Sequence, residues 1–92
     1  MQSKSIYKIP NGKLLKIFLD YDNNLINQIK ITGDFFAHPE EAIEVMENEL
    51  KNCALEKEKL LLKINEVIGN NKIEFFGLNP EGLAEGILMA VK

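Results

Sequence analysis

A strand gives way to a helix within the stretch Ile31-Thr32-Gly33-Asp34-Phe35-Phe36-Ala37-His38-Pro39-Glu40-Glu41-Ala42-Ile43. Gly33 can adopt the backbone angles that a sharp exit from a strand requires. Pro39 suits the first position of a helix, where its missing N–H breaks no hydrogen bond, and Glu40 and Glu41 would then lie at the positive end of the helix dipole. The sequence therefore predicts a helix that begins at Pro39, shortly after a strand.

Two adjacent phenylalanines, Phe35 and Phe36, occupy the connecting segment. Large apolar side chains in a loop bury either against their own core or against another molecule. Because successive residues leaving a strand face opposite sides, we expect one ring to fill the core beneath the helices and the other to point outward. The sequence leaves open which ring takes which position.

The residues before this stretch have the pattern of β-strands. Ile6–Ile9 is a short candidate strand, closed by a turn at Pro10-Asn11-Gly12. Residues 13–22 follow, and the Asn23-Asn24 pair predicts a tight turn into a third strand over residues 25–32. The middle strand alternates with a period of two, which predicts one buried face, formed by Leu15, Ile17, Leu19 and Tyr21. The pattern predicts a three-stranded antiparallel meander.

The residues after the stretch have helical periodicity. A first helix is predicted from Pro39 to about Asn52, and a second from about Glu56 to Ile68, ended by Gly69-Asn70-Asn71. Residues 72–77 are short and extended, either a fourth strand or a lone apolar segment. Asn79-Pro80-Glu81 then begins a final helix. Strands followed by about three helices predict an α+β fold, with the helices packed on one face of the sheet.

Size and composition limit the class of protein. The 92 residues are expected to form one domain, 1–92. The net charge is −3, and basic residues are mostly interleaved with acidic ones along the chain. Both features argue against nucleic acid as a partner, since backbone phosphates favour clustered Lys and Arg. We see neither the roughly 20-residue apolar run of a membrane span nor an apolar signal peptide. The lone Cys53 excludes an internal disulfide, so a cytoplasmic protein is expected.

Side chains suited to catalysis or metal binding are scarce. His38 is the only histidine and directly precedes Pro39, which favours a helix flank over a metal ligand. Cys53 is expected to be a small buried apolar side chain, and Asp34 either accepts loop N–H groups or orients a partner. The glutamates of the first helix are expected to face water and to form no converging acid–base pair: Glu40, Glu41, Glu44, Glu47 and Glu49. These features indicate a binding or accessory module.

Two features of the later helices each have two interpretations. Gly82 and Gly86 lie four residues apart on the last helix, a spacing that permits close packing inside the domain or against a partner. Leu62 lies opposite the apolar stripe of the second helix, so it is expected to be exposed. It is either a scattered surface leucine or part of a docking patch.

The segment Gly33-Asp34-Phe35-Phe36, followed by Pro39-Glu40-Glu41-Ala42-Ile43, resembles the accessory domain of lipoate–protein ligases. Asn11-Gly12-Lys13-Leu14 and Phe76-Gly77-Leu78-Asn79-Pro80-Glu81 extend the resemblance over nearly the whole chain. In that family the domain usually ends one long ligase chain in bacteria, and in some archaea it is a separate subunit. Since the chain begins with Met and ends without a catalytic region, a free-standing subunit is expected, and an excised domain of a longer chain is the alternative.

The resemblance implies a non-catalytic subunit that forms a hetero-oligomer, such as a heterodimer, with the large catalytic subunit. That partner uses ATP and lipoate, with Mg, to make lipoyl-adenylate for protein lipoylation, while this chain binds no cofactor alone. The small domain would support activation by packing beside the active site, and its docking edge would comprise Gly33, Asp34, Phe35, Phe36, Pro39 and Glu40. The family also resembles iron–sulfur assembly scaffold and sulfur-acceptor proteins in fold. A sulfur-acceptor role through Cys53, or a generic protein-interaction module, is therefore the alternative.

Overall fold

The computed structural model describes residues 1–91. Three strands form an antiparallel sheet in the order β1-β2-β3: β1 (Gln2–Lys8), β2 (Leu14–Asp22) and β3 (Leu25–Gly33). Asn23 and Asn24 take positive φ values of 51° and 61°, as the tight turn between β2 and β3 requires. The predicted meander is confirmed, although its first strand begins at Gln2 and ends at Lys8 rather than spanning 6–9.

A second, two-stranded sheet lies beside the meander. It consists of β4 (Phe36–His38) and β5 (Glu74–Phe76), which pair antiparallel with Phe36 opposite Phe76. The Lys13 N–H donates a hydrogen bond of 3.0 Å to the Gly77 carbonyl oxygen, which joins the end of β5 to the start of β2. The extended segment predicted over residues 72–77 therefore contains a strand, which is limited to Glu74–Phe76. The sequence does not predict its partner β4, since three residues are too few for an alternation pattern.

Three helices complete the fold: α1 (Ala42–Glu49), α2 (Lys57–Asn71) and α3 (Pro80–Met89). α1 contacts β3, α3 contacts β1 and β2, and α2 packs against both other helices. The buried face of β2 is the predicted one, and the helices cover it, which confirms the α+β architecture. None of the helices in the described part of the chain is long and apolar enough to cross a membrane.

The first helix begins at Ala42, so the predicted start at Pro39 is wrong. β4 holds the chain extended up to His38, and the His38–Pro39 peptide bond is cis. The Pro39 carbonyl oxygen accepts a 2.9 Å hydrogen bond from the Ala42 N–H, which makes residues 39–41 a turn before the helix. Glu40 and Glu41 therefore precede the first helical turn, and Glu44 is the acidic residue within it.

The predicted helix ends also shift. α1 stops at Glu49, short of Asn52, whereas α2 continues through Gly69 to Asn71 instead of ending at Ile68. Lys72 provides the left-handed cap of α2, with φ 51°. The Asn71 Nδ2 donates to the Val67 carbonyl oxygen at 3.0 Å, so this asparagine lies inside the last turn of the helix.

The core lies between the meander and the helices. The four predicted β2 residues are buried, and the helices bury an opposing set, which includes Ala42, Met46, Leu60, Ile64, Val67, Ala84 and Ile87. A Cβ on Gly86 would lie 2.6 Å from Leu15 Cδ2, and one on Gly82 would lie 3.0 Å from Ile9 Cγ2. The two glycines of α3 therefore serve close packing inside the domain, as the first interpretation of their spacing held.

Candidate docking site

Gly33 ends β3 at a close backbone approach. A Cβ at this position would overlap the Leu14 carbonyl oxygen and would lie 3.0 Å from Phe35 Cε1. The Asp34 N–H donates to that same Leu14 oxygen at 3.1 Å, so the chain stays against β2 for one more residue. Only glycine fits this exit from the strand, and the chain then turns into the second sheet.

Phe35 and Phe36 face opposite ways. Phe35 is half-buried and packs against the core, whereas the side chain of Phe36 is 75% exposed. The expected division between one inward and one outward ring is confirmed, and the outward ring is Phe36. Alternation along an extended backbone explains it, because Phe36 is the next residue after Phe35 and begins β4.

Phe36 has an aromatic neighbour across the second sheet. Its register partner Phe76 is 55% exposed, while the preceding residue of β5, Phe75, is half-buried against the core. Directly opposed residues of an antiparallel pair point to the same face of the sheet, with Cβ atoms roughly 4.5–5.5 Å apart. Phe36 and Phe76 thus form an exposed patch, which we call the aromatic pair.

The sequence motif includes only half of the aromatic pair. Phe76 is absent from the docking edge predicted from the motif, since its pairing with Phe36 joins segments 40 residues apart. One signal was present: Phe75-Phe76 repeats the Phe35-Phe36 doublet within a segment that has extended character. Two such doublets on paired strands place one ring of each inward and the other outward.

The remaining residues of the predicted edge divide by position. Asp34 and Glu40 are exposed, and Pro39 is half-buried in the turn that leads into α1. Leu62 is 71% exposed on α2, as expected, but α2 is a different element from those that carry the aromatic pair. Asp34 and Glu40 therefore form the solvent-facing part of the edge, whereas Pro39 shapes its backbone.

His38 and Cys53 are the two residues whose side chains are best suited to metal or nucleophilic chemistry. His38 is exposed at the end of β4, opposite Glu74 of β5, rather than at the first turn of a helix. Among the described residues, no group of three or more His, Cys, Asp or Glu side chains is arranged to hold a metal ion.

The surroundings of Cys53 disfavour the charged thiolate form. It is half-buried between α1 and α2, and its Sγ lies 3.6 Å from the Ala54 carbonyl oxygen, to which it donates a hydrogen bond. Burial raises the pKa of the thiol above its ordinary value of 9.0, and the nearby Lys63 and Lys59 offset only part of that effect. Since the thiolate is the reactive form, this environment lowers the nucleophilicity of Cys53 at neutral pH.

The fold and the site define a small α+β domain with an exposed aromatic patch at the edge of its second sheet. The chain belongs to the lipoate protein ligase C-terminal family: the model described as the bacterial lipoate protein ligase C-terminus matches residues 4–87. The resemblance found in the sequence is thereby confirmed.

Two comparisons come from one archaeon, Thermoplasma acidophilum. Its lipoate-protein ligase A subunit 2 is 34% identical to this chain over 90 residues, which cover 95% of this chain and 87% of the relative. A chain from a structural analysis of its archaeal lipoylation system, a bi-partite lipoate protein ligase and its E2 lipoyl domain, superposes with a TM-score of 0.78. That alignment has 29% identity and covers 95% of this chain and 94% of the other.

Proposed function

We propose that this chain is the accessory subunit of a two-component lipoate–protein ligase and that it docks on a large catalytic subunit. The observation that carries the proposal is the match to a separate subunit, since 95% of this chain aligns with 87% of a relative named subunit 2. The superposed solved chain comes from a ligase described as bi-partite, which supports the same assignment.

The aromatic pair is the centre of the proposed docking edge. Its rings are exposed at 75% and 55%, and neither is needed to fill the core beneath the helices. Aromatic rings that become buried at an interface supply much of the binding free energy, typically near the middle of the contact. Asp34 and Glu40 would form the polar rim, while Gly33, Phe35 and Pro39 fix the backbone that presents Phe36.

The proposed contribution to the reaction is conformational. The catalytic partner would bind ATP, lipoate and Mg²⁺ and form lipoyl-adenylate, and this chain would supply no catalytic group and bind no cofactor alone. Packing beside the active site would help to close it, and closure excludes water from a reactive adenylate. With a single cysteine, the cytoplasm is the compartment we propose for this assembly.

The test combines this chain with the large ligase subunit of the same organism, lipoate, ATP and Mg²⁺, and follows adenylate formation. We expect adenylate formation to depend on the chain and Phe36→Ser to weaken that dependence. Leu62→Ser is the matched control, because Leu62 is 71% exposed on a different element. The same rate of adenylate formation with the chain left out would refute the proposal.

A second variant separates docking from folding. Phe35 is half-buried against the core, so Phe35→Ala should lower the free energy of unfolding by about 1–3 kcal/mol. Phe36→Ser should change it by less than about 1 kcal/mol, since the ring is mostly in water. Chemical denaturation of both variants would show that lost activity in Phe36→Ser does not arise from unfolding.

The sulfur-acceptor alternative depends on Cys53. A persulfide carrier needs an accessible thiolate, whereas burial raises the pKa of this thiol and the side chain is only partly exposed. We therefore do not propose this role.

A further inference from the structure

The meander has a second face, which the helices leave open. Two rows of side chains cross its three strands in register: Lys4, Phe18 and Lys30, then Ile6, Lys16 and Thr32. An open groove of about 550 Å³ follows these six residues, which we call the outer sheet face. It lies on the side of β2 opposite the buried residues of the core.

The outer sheet face has an apolar centre at Phe18, which Ile6 extends to the edge strand β1, and lysines on three sides of that ring. Ile6 is 64% exposed and Phe18 is half-buried, although neither side chain points toward the helices. Lys4 and Lys30 flank Phe18 in its row, and Lys16 separates Ile6 from Thr32 in the next row. All three lysines are exposed. A ligand on this face would thus meet ammonium groups around an apolar patch.

The positive charge of this face opposes the charge of the whole chain. Residues 1–33 contain five lysines against two aspartates, whereas the remaining residues contain six lysines against twelve acidic residues. The net charge of −3 therefore results from a basic first third, which contains the meander, and a more strongly acidic remainder. Because the charges are segregated, the electrostatic field of the molecule points from one side to the other, and such a field orients a charged partner as it approaches.

The charge distribution discriminates between possible occupants. A second copy packed through a two-fold axis would place the lysine rows of two identical faces against each other, and like charges repel. A long polyanion such as nucleic acid would extend beyond the face toward the acidic remainder of the chain, which repels it. The apolar centre also makes no favourable contact with phosphates. A protein surface with carboxylates around an apolar side chain complements both parts of the face.

We propose that the outer sheet face binds an acidic patch with an apolar centre on the large catalytic subunit, a proposal that rests on the function proposed above. The face is continuous with the docking edge: Thr32 precedes Gly33, and the Asp34 N–H bonds to Leu14, two residues before Lys16 on β2. The aromatic pair supplies apolar anchoring, while Lys4, Lys16 and Lys30 orient the subunit and accelerate association.

The experiment measures binding of the full chain to the large subunit of the same organism at low and high salt. The test variant, which we call the face variant, combines Lys4→Glu, Lys16→Glu and Lys30→Glu. The control combines Lys51→Glu, Lys59→Glu and Lys72→Glu, which makes the same charge change at exposed lysines of the acidic remainder of the chain. Circular dichroism and thermal unfolding of both variants would verify that each is folded.

At low salt we expect the face variant to bind at least about thirtyfold more weakly, with little remaining salt dependence, and the control to change less than about threefold. Ile6→Ser, which alters no charge, should weaken binding by about tenfold through the apolar centre. If the face variant and Ile6→Ser both bind like the wild type, this inference is overturned while the accessory role stands. If the unaltered chain does not bind the large subunit, the accessory role itself fails.

The other occupants are outcomes of the same experiment. Sedimentation of the chain alone would detect a dimer, and a dimer that the face variant disperses would assign the face to a second copy. Nucleic acid is tested with a labelled duplex of random sequence. If the wild type binds the duplex and the face variant does not, the face would be assigned to the phosphates of nucleic acid. Either result would overturn the proposal.

Discussion

Glu47 shows how tertiary structure reassigns a single side chain. Helical periodicity places it among the solvated glutamates of α1, but its Oε2 accepts a 2.7 Å hydrogen bond from the Ile31 N–H. Ile31 belongs to β3, which is an edge strand of the meander, and an outward N–H of an edge strand needs a partner once a helix covers it. The carboxylate therefore fastens α1 to the sheet, which corrects the expectation that Glu47 simply faces water.

Removing this carboxylate should destabilise the domain. Glu47→Ala leaves the part-buried Ile31 N–H without its acceptor, so the free energy of unfolding should fall by about 1–2 kcal/mol. Glu44→Ala is the control, since Glu44 is exposed on the same helix and the change in helix propensity is identical. Urea denaturation measures both variants, and a Glu47→Ala chain as stable as the wild type would show that the hydrogen bond contributes nothing.

The Cys53 thiol should titrate above its ordinary range in the folded chain. Burial favours the neutral thiol, so the pKa of Cys53 in the folded chain is raised above its ordinary value of 9.0. The stability that the buried neutral thiol contributes is complete below the ordinary pKa of 9.0. The contribution is then lost as the pH rises through the raised folded pKa. The pH profile of alkylation by iodoacetamide, compared between the folded and the urea-unfolded chain, should have its midpoint at higher pH in the folded chain. If the alkylation midpoint of the folded chain lay at or below that of the unfolded chain, the raised pKa of Cys53 would be contradicted.

At the scale of elements, two helix starts with similar sequences differ in structure. Asn79-Pro80-Glu81 begins α3 as predicted, because the Asn79 Oδ1 accepts a 2.6 Å hydrogen bond from the Gly82 N–H. His38-Pro39-Glu40 has the same order of a polar residue, proline and acid, but its first residue is paired with Glu74 in the second sheet. A contact 36 residues away along the chain therefore displaces the start of α1 to Ala42.

This contrast marks what the sequence predicts and what it does not. Alternation in β2 predicts the meander and its buried face, and the Phe35-Phe36 doublet predicts one outward ring, because both patterns are local. The pairing of β4 with β5, and with it the position of Phe76, depends on contacts between distant segments. The same long-range packing sets the acceptor role of Glu47, so these features emerge only in three dimensions.

Gly69 in α2 and Gly86 in α3 should respond to alanine substitution with opposite changes in stability. Gly69 lies inside α2, and a methyl group added there would meet open space, so Gly69→Ala should raise the free energy of unfolding by about 0.5–1 kcal/mol through helix propensity. Gly86→Ala makes the same change in α3, but its Cβ would lie 2.6 Å from Leu15, a fully buried side chain. We expect that variant to be less stable than the wild type. Thermal unfolding measures both, and a stabilised Gly86→Ala would show that the α3 contact is loose.

At the scale of the whole molecule, the exposed rings do not reflect a loose fold. The radius of gyration is 11.8 Å, close to the roughly 12 Å of a compact chain of this length. The helices cover one face of the meander, while the aromatic pair and the outer sheet face remain uncovered. The core is thus complete without the apolar residues that we assign to docking, which separates the stability of the domain from its capacity to bind.

That separation predicts how the partner stabilises the chain. Phe36→Ser combined with Phe76→Ser removes an exposed cross-strand pair, so the isolated domain should lose no more than about 1 kcal/mol of unfolding free energy. With the large subunit in about hundredfold excess over its Kd, the wild type should gain about 2.7 kcal/mol by mass action, and the double variant should gain much less. Thermal unfolding with and without the partner measures both quantities, and Leu62→Ser should keep the full gain. A double variant that is unfolded on its own would instead assign the rings to the fold, because a domain that depends on them cannot be using them only as a docking surface.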